Sequence, residues 1–193
     1  MFKTLSNAWR IKEIRSKMIF TILMIVVYRL GNTIPIPFID KKVVSQLMSS
    51  NAGGLVNLLD LLAGGSLKQM SVFALSIYPY ITASIVVQLL TIAFPRLGEI
   101  ARDGEMGKKK VAKYTKIGAV ILGIFEAMAI ANGLFAKAIV ANGYIQSALI
   151  ITSLLAGSMF LVWLGEIITE KGVGNGISII IFLGIVSNLP AKL

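Results

Sequence analysis

Four apolar runs in this chain, residues 18–37, 71–94, 117–136 and 147–168, each approach or exceed the roughly 20 residues of α-helix needed to cross the hydrocarbon core of a membrane. A fifth, 177–193, is shorter and runs to the last residue. Hydrocarbon offers no water to backbone N–H and C=O groups, so a chain patterned this way has to satisfy them within helices packed as a bundle. Composition points the same way: 56% hydrophobic residues, 15% charged residues and a mean hydropathy of +0.82 exceed what a soluble core of this size can bury. The expected fold is an all-α membrane protein with five transmembrane helices. Residues 1–17 form a basic segment ahead of the first.

The net charge of +10 is distributed between the apolar runs and forms no single stripe, which reads as membrane topology and not as a nucleic-acid surface. Lys3, Arg10, Lys12, Arg15 and Lys17 precede the first run; Arg96, Arg102, Lys108, Lys109, Lys110, Lys113 and Lys116 follow the second; Lys171 follows the fourth. These alternate connections hold 13 basic residues, against 5 (Lys41, Lys42, Lys68, Lys137 and Lys192) on the opposite side. The positive-inside rule therefore places the N-terminus in the cytoplasm. A basic start followed by an apolar run also raises a cleaved leader. The run ends in Arg29-Leu30-Gly31-Asn32-Thr33-Ile34-Pro35-Ile36-Pro37 without a small-x-small cleavage pattern, so a retained first helix is expected.

Cysteine and histidine are both absent. This excludes disulfides, thiolate nucleophiles, cysteine/histidine zinc sites and histidine acid–base catalysis, so neither an enzyme nor a cofactor is expected. An intramembrane enzyme would have to rely on Glu126 and Glu166 alone. Two glycine patterns fail as nucleotide sites: Gly172-Val173-Gly174-Asn175-Gly176 lacks the Rossmann spacing, and Gly104-Glu105-Met106-Gly107-Lys108 has the wrong gap for a phosphate loop. Lys108 to Lys110 read as a headgroup anchor, with a ribosomal-RNA contact as the alternative.

Between the first two runs, residues 53–65 (GGLVNLLDLLAGG) are apolar, bracketed by glycine pairs and too short to span. Two readings fit: a re-entrant half-helix, or an amphipathic helix on the outer surface. Asp60 among the leucines favours a wet or surface position in either case. Within the runs, Glu126 and Gln88 are expected to form interhelical hydrogen bonds, with an ion site as the alternative, and Arg29 to snorkel or to bond carbonyls near the Ile34–Pro37 break. Pro79 removes one backbone hydrogen bond from the second run and can kink it, as prolines of purely structural helices also do. Ala119 with Gly123, and Ser153 with Gly157, are small pairs at the spacing that lets helices approach closely. Ile77 and Ile81 share one helical face, as do Ile177 and Ile181, which suits packing or lipid contact as well as an apolar constriction.

The run 78–90 (YPYITASIVVQLL), with 163–166 (WLGE) and 172–182 (GVGNGISIIIF), resembles the bacterial SecY family, and the resemblance extends over essentially the whole chain in order, including Ile34-Pro35-Ile36-Pro37. It implies the N-terminal half of a protein-conducting channel: a five-helix half of an inverted-repeat clamshell around an hourglass pore. In that frame Ile77, Ile81, Ile177 and Ile181 become pore-ring residues, and Leu55, Val56, Leu58, Leu59, Asp60, Leu61 and Leu62 belong to a plug. Thr82 and Gln88 become polar residues of a lateral gate whose one wall is the second and third spans. Asp60 departs from the mostly uncharged plugs of the family.

The implied location is the bacterial plasma membrane. The implied partners are small membrane subunits of the SecE and SecG type, the SecA motor or the ribosome, a signal sequence or nascent polypeptide, and membrane lipids. The family's second half is missing from these 193 residues. A truncated chain, a translocation-stage fragment or one half of a split channel is expected, with a separate C-terminal half, an insertase or a chaperone as further partners. The alternatives are a folding intermediate without a pore, and half of a secondary transporter.

Overall fold

The computed structural model describes residues 11–40, 42–44, 46, 60, 63–134, 136–139 and 143–188. Leu55, Val56, Leu58, Leu59, Leu61 and Leu62, assigned above to a plug, lie outside the described residues. Among those described, the protein is all-helical, with two isolated β-bridges and no strand.

Helix α1, Lys12–Asn32, has 21 residues, so it is about 31 Å long at 1.5 Å per residue. It ends where Pro35 can supply no N–H: Thr33 and Ile34 turn their N–H groups back to Leu30 O and Gly31 O, and the chain leaves in an extended conformation. Arg29 stands exposed in its last turn, the position expected of a snorkelling side chain. The short helix α2, Ser66–Gln69, follows a pair of left-handed glycines, Gly64 (φ 71°) and Gly65 (φ 79°), a conformation that glycine adopts without steric cost.

The second apolar run is helical only in part. Residues 71–77 form turns, and α3 begins at Tyr78, running Tyr78–Ala93. Pro79 therefore makes no kink within a helix. Proline sits instead in the first turn of the helix, where its missing N–H has no intrahelical partner to lose. Phe94 is extended, Pro95 restarts the chain as α4, Pro95–Arg102, and the two helices meet at a bend of 108°.

Helix α5, Gly104–Ala129, passes into a π-helical turn, Ile130–Leu134, and then a 3₁₀ turn, Ala136–Ala138. Helix α6, Tyr144–Lys171, has 28 residues, and α7, Gly176–Asn188, has 13. Among the described residues, two helices are long and apolar enough to cross a membrane, one over Gly104–Gly133 and the other over Tyr144–Lys171; the bent pair α3–α4 makes a third if taken as one span.

Helix α6 is the axis of packing. Its Ile150 and Leu154 belong to one apolar cluster with Met70, Ala74, Leu75 and Ala127, while Leu161, Leu164 and Ile168 belong to a second with Tyr28, Phe73, Ile77 and Ile180. Stacked rings tie the second cluster together: Tyr28 on Phe73 (6.1 Å), Phe73 on Phe160 (6.0 Å) and Phe160 against Trp163 (5.5 Å). The small residues serve close approach, as their spacing suggested. Gly123 faces Leu155 of α6 and Pro79 of α3, and Gly157 lies directly under the backbone of Val72. Gly157→Ala would set a methyl group well inside contact distance of the Val72 carbonyl. It is expected to destabilise the fold by about 1–3 kcal/mol, read as a lowered thermal unfolding midpoint in detergent.

Candidate pore and gate residues

Ile77 closes the turn segment 71–77, and its carbonyl accepts the N–H groups of Tyr80 and Ile81, both at 3.1 Å, which starts α3. Ile81 follows one turn on. The other pair is set by the glycine-rich loop before α7. There the Asn175 side-chain oxygen accepts the N–H of Ile177 (3.1 Å) and of Ser178 (3.2 Å), satisfying helix-end donors that have no intrahelical partner.

The loop itself is pinned from two sides. Val173 N–H donates to the Thr21 hydroxyl of α1 at 3.1 Å, and Gly176 N–H donates to the Thr169 hydroxyl of α6 at 2.8 Å. A Cβ on Gly176 would overlap the Gly165 carbonyl, so the WLGE and GVGNG segments meet backbone to backbone. That contact accounts for Gly165 and Gly176 without any nucleotide, while Gly174 holds a left-handed backbone (φ 75°).

Of the four expected ring residues, Ile81 and Ile181 line one cavity of about 180 Å³ together with Ser76 and Tyr78. Ile81 and Ile177 pack against the same apolar cluster. Ile77 is only 1% exposed and is itself a member of that cluster, beside Phe73, Leu161 and Leu164. Ser76, next to it, holds a left-handed backbone (φ 52°), which is uncommon for a residue with a side chain and is kept only where surrounding structure over-determines it.

Thr82 and Gln88 do not meet. Thr82 lines a cavity of about 330 Å³ with Leu67, Ala74, Leu75, Tyr78, Glu126, Ala129 and Ile130. Gln88 lines a different cleft between α3 and α5, together with Tyr80, Ser84, Thr91, Lys108 and Thr115. Six residues along a helix is 600°, so the two side chains leave α3 on different faces. Gln88 donates to Ser84 of its own helix at 3.4 Å, and the Glu126 carboxyl has no hydrogen-bond partner among the described residues. The interhelical bonds expected for both are thus not formed among the described residues.

Asp60, the one described residue of the run 55–62, accepts the N–H of Lys68 at 2.9 Å through its carboxylate, and the N–H of Gly65 at 2.9 Å through its carbonyl. Lys68 is in the first turn of α2, so this acid among leucines satisfies a helix-end donor. Glu166 of the WLGE segment pairs with Lys116 at 2.8 Å across α5 and α6.

A buried polar cluster escaped the sequence reading. Asn32, at the end of α1, accepts the hydroxyls of Ser66 and of Ser71 (3.2 Å) and donates to the Gly64 carbonyl (3.4 Å). Its only sequence signal is an amide at the close of an apolar helix. Replacing Asn32 by Leu removes all three bonds while leaving both serines buried, and is expected to cost about 1–3 kcal/mol, measured against Asn32→Gln by thermal unfolding in detergent.

Comparison with known proteins shows a match to the model of the SecY family over residues 71–193. The chain is 44% identical over 183 residues to the protein translocase subunit SecY of Escherichia coli (strain K12), covering 92% of this chain and 41% of that protein. It is 43% identical over 195 residues to that of Bacillus subtilis (strain 168), covering 98% of this chain and 44% of that protein. Against that of Vibrio cholerae the identity is 45% over 183 residues, covering 93% and 41%. The chain thus spans somewhat under half the length of these three relatives. With the family's match running through α3, the Glu166 segment and the pinned loop before α7, this membrane protein belongs to the SecY family.

Proposed function

We propose that the chain forms the N-terminal half of a protein-conducting channel, with α1, the bent pair α3–α4, α5, α6 and α7 as its five membrane spans and its N-terminus in the cytoplasm. The observation that carries this reading is the meeting of Ile81 of α3 and Ile181 of α7 at one cavity, both within the region matched to the family. Apolar side chains converging on a narrow passage exclude water and so stop ions, while their rotamers yield to a larger apolar or polar chain. The relatives' name, protein translocase subunit, gives the cargo class: polypeptides bound for export or for the membrane.

The channel performs no bond chemistry in this reading. A cytoplasmic motor or the ribosome supplies the energy, and SecE- and SecG-type subunits complete the assembly. A C-terminal half supplies the other wall of the pore. Segment 53–65 is assigned the plug role by the family resemblance alone. Helices α3 and α5 form the near wall of the lateral gate, and Thr82 and Gln88 contribute polar groups to it from two separate cavities.

The absence of native cysteine makes a direct test available. A single cysteine at Ile81, in the complete channel, is expected to form a disulfide with a stalled secretory precursor carrying one cysteine, and to do so only when the precursor has its signal sequence. No cross-link with an engaged precursor would remove Ile81 from the path. Ile81→Gly combined with Ile181→Gly is expected to raise the resting ion conductance of the reconstituted complex several-fold; an unchanged conductance would argue against a seal at this level.

A further inference from the structure

Two residues with side chains hold a left-handed backbone on either side of the turn segment before α3, Met70 (φ 46°) and Ser76 (φ 52°). That conformation presses Cβ toward the neighbouring carbonyl, and glycine alone adopts it without steric cost. Met70 is locked from outside: its carbonyl accepts the N–H of Ile36 at 2.9 Å, and its N–H donates to Leu67 O at 3.1 Å. The next fixed points are Val72, whose N–H donates to Ile34 O at 3.0 Å, and Phe73, stacked between Tyr28 and Phe160. Ser76 comes after the last of these. Its N–H turns back to Phe73 O at 2.8 Å, and it lines the cavity of about 180 Å³ with Tyr78, Ile81 and Ile181. Ile77, which follows, has φ −100° and ψ 8°, at the edge of the right-handed helical region.

Ser76 is thus the left-handed joint between the anchored Phe73 and the first turn of α3. Turning it right-handed would let α3 wind back toward Phe73, and would rotate Ile77 away from Leu161 and Leu164 as the helix grew. Resting on the channel reading above, we propose that Ser76 is a positioning residue of the pore ring, a joint whose left-handed state keeps Ile77 in the core and aims Ile81 at the cavity it shares with Ile181. In its right-handed state the joint releases Ile77, and the passage at Ile81 widens. Serine suits this use. Glycine would free the left-handed state of steric cost and a β-branched residue would make it an outlier, whereas serine leaves the two states close enough for an arriving chain to choose between them.

The test uses the complete full-length channel in vesicles with Ile77→Cys as reporter, since the chain has no native cysteine and Ile77 is buried. The readout is the rate of labelling by a water-soluble maleimide. The cysteine is expected to be protected at rest and to become reactive once a stalled secretory precursor is engaged. Adding Ser76→Thr is expected to speed labelling at rest about ten-fold, the shift that the cost of a left-handed backbone for a β-branched side chain supports. Ser76→Thr alone is expected to raise the resting ion conductance. Ser76→Gly and Ser76→Asn are expected to keep the cysteine protected, although one removes the side chain and the other enlarges it more than Ser76→Thr does. Labelling that follows side-chain size, or that ignores Ser76→Thr, would overturn the joint. So would a lowered thermal unfolding midpoint for Ser76→Thr with labelling and conductance unmoved. If Ile81→Cys cross-links to the engaged precursor while Ile77→Cys stays protected, the channel stands and the joint does not. Failure of Ile81→Cys to cross-link at all would instead overturn the channel reading, and the joint with it.

Discussion

The backbone between Ala63 and Ile77 has to find its hydrogen bonds without a continuous helix, and much of the surrounding structure is arranged to supply them. Water is the usual partner for irregular backbone, and most of this segment is buried away from it, so protein groups have to take its place. Ile34 O accepts the N–H of Val72, Met70 O accepts that of Ile36, and Pro35 bridges Ser71. Asn32 gathers Gly64, Ser66 and Ser71 around one amide. The end of α1 and the extended Ile34–Pro37 stretch thus form the cradle for the segment that leads to α3.

Once that segment is held, the rest of the packing follows. Phe73 is stacked between Tyr28 of α1 and Phe160 of α6, and Val72 lies on Gly157 of α6. These contacts fix where α3 begins, and therefore where Ile77 and Ile81 stand. The second isoleucine pair is placed by a different device, the loop before α7, tied to Thr21 and Thr169 by its own N–H groups. Threonine suits this use in apolar helices. Thr169, for instance, donates its hydroxyl to Gly165 O of its own helix and still accepts a bond from the loop.

Much of the fold was legible along the sequence, for a reason particular to membranes. Long apolar runs have few alternatives to helix, so the positions of α1, α5 and α6 could be read without knowing what they pack against. The failures lie where local backbone competes with periodicity. Residues 71–77 are as apolar as a span, yet form turns, because Pro79 can open a helix more readily than it can sit within one. Glu126 and Gln88 were expected to bond across helices. Gln88 found Ser84 one turn back on its own helix, while Glu126 faces a cavity.

The sequence by itself determined the material class of this protein, the distribution of basic charge between its helices and the motifs that carry its family membership. Each depends on hydropathy, charge or local spacing, which a linear chain displays. Tertiary structure alone decided that Ile81 and Ile181 share a cavity while Ile77 is buried in the core, that Thr82 and Gln88 face different spaces, and that Asn32 joins three residues more than thirty positions away. Which side chain meets which depends on the angles and offsets at which helices cross, and these are set by close packing at Gly157, Gly165 and Gly176, where the absence of a side chain lets backbones touch.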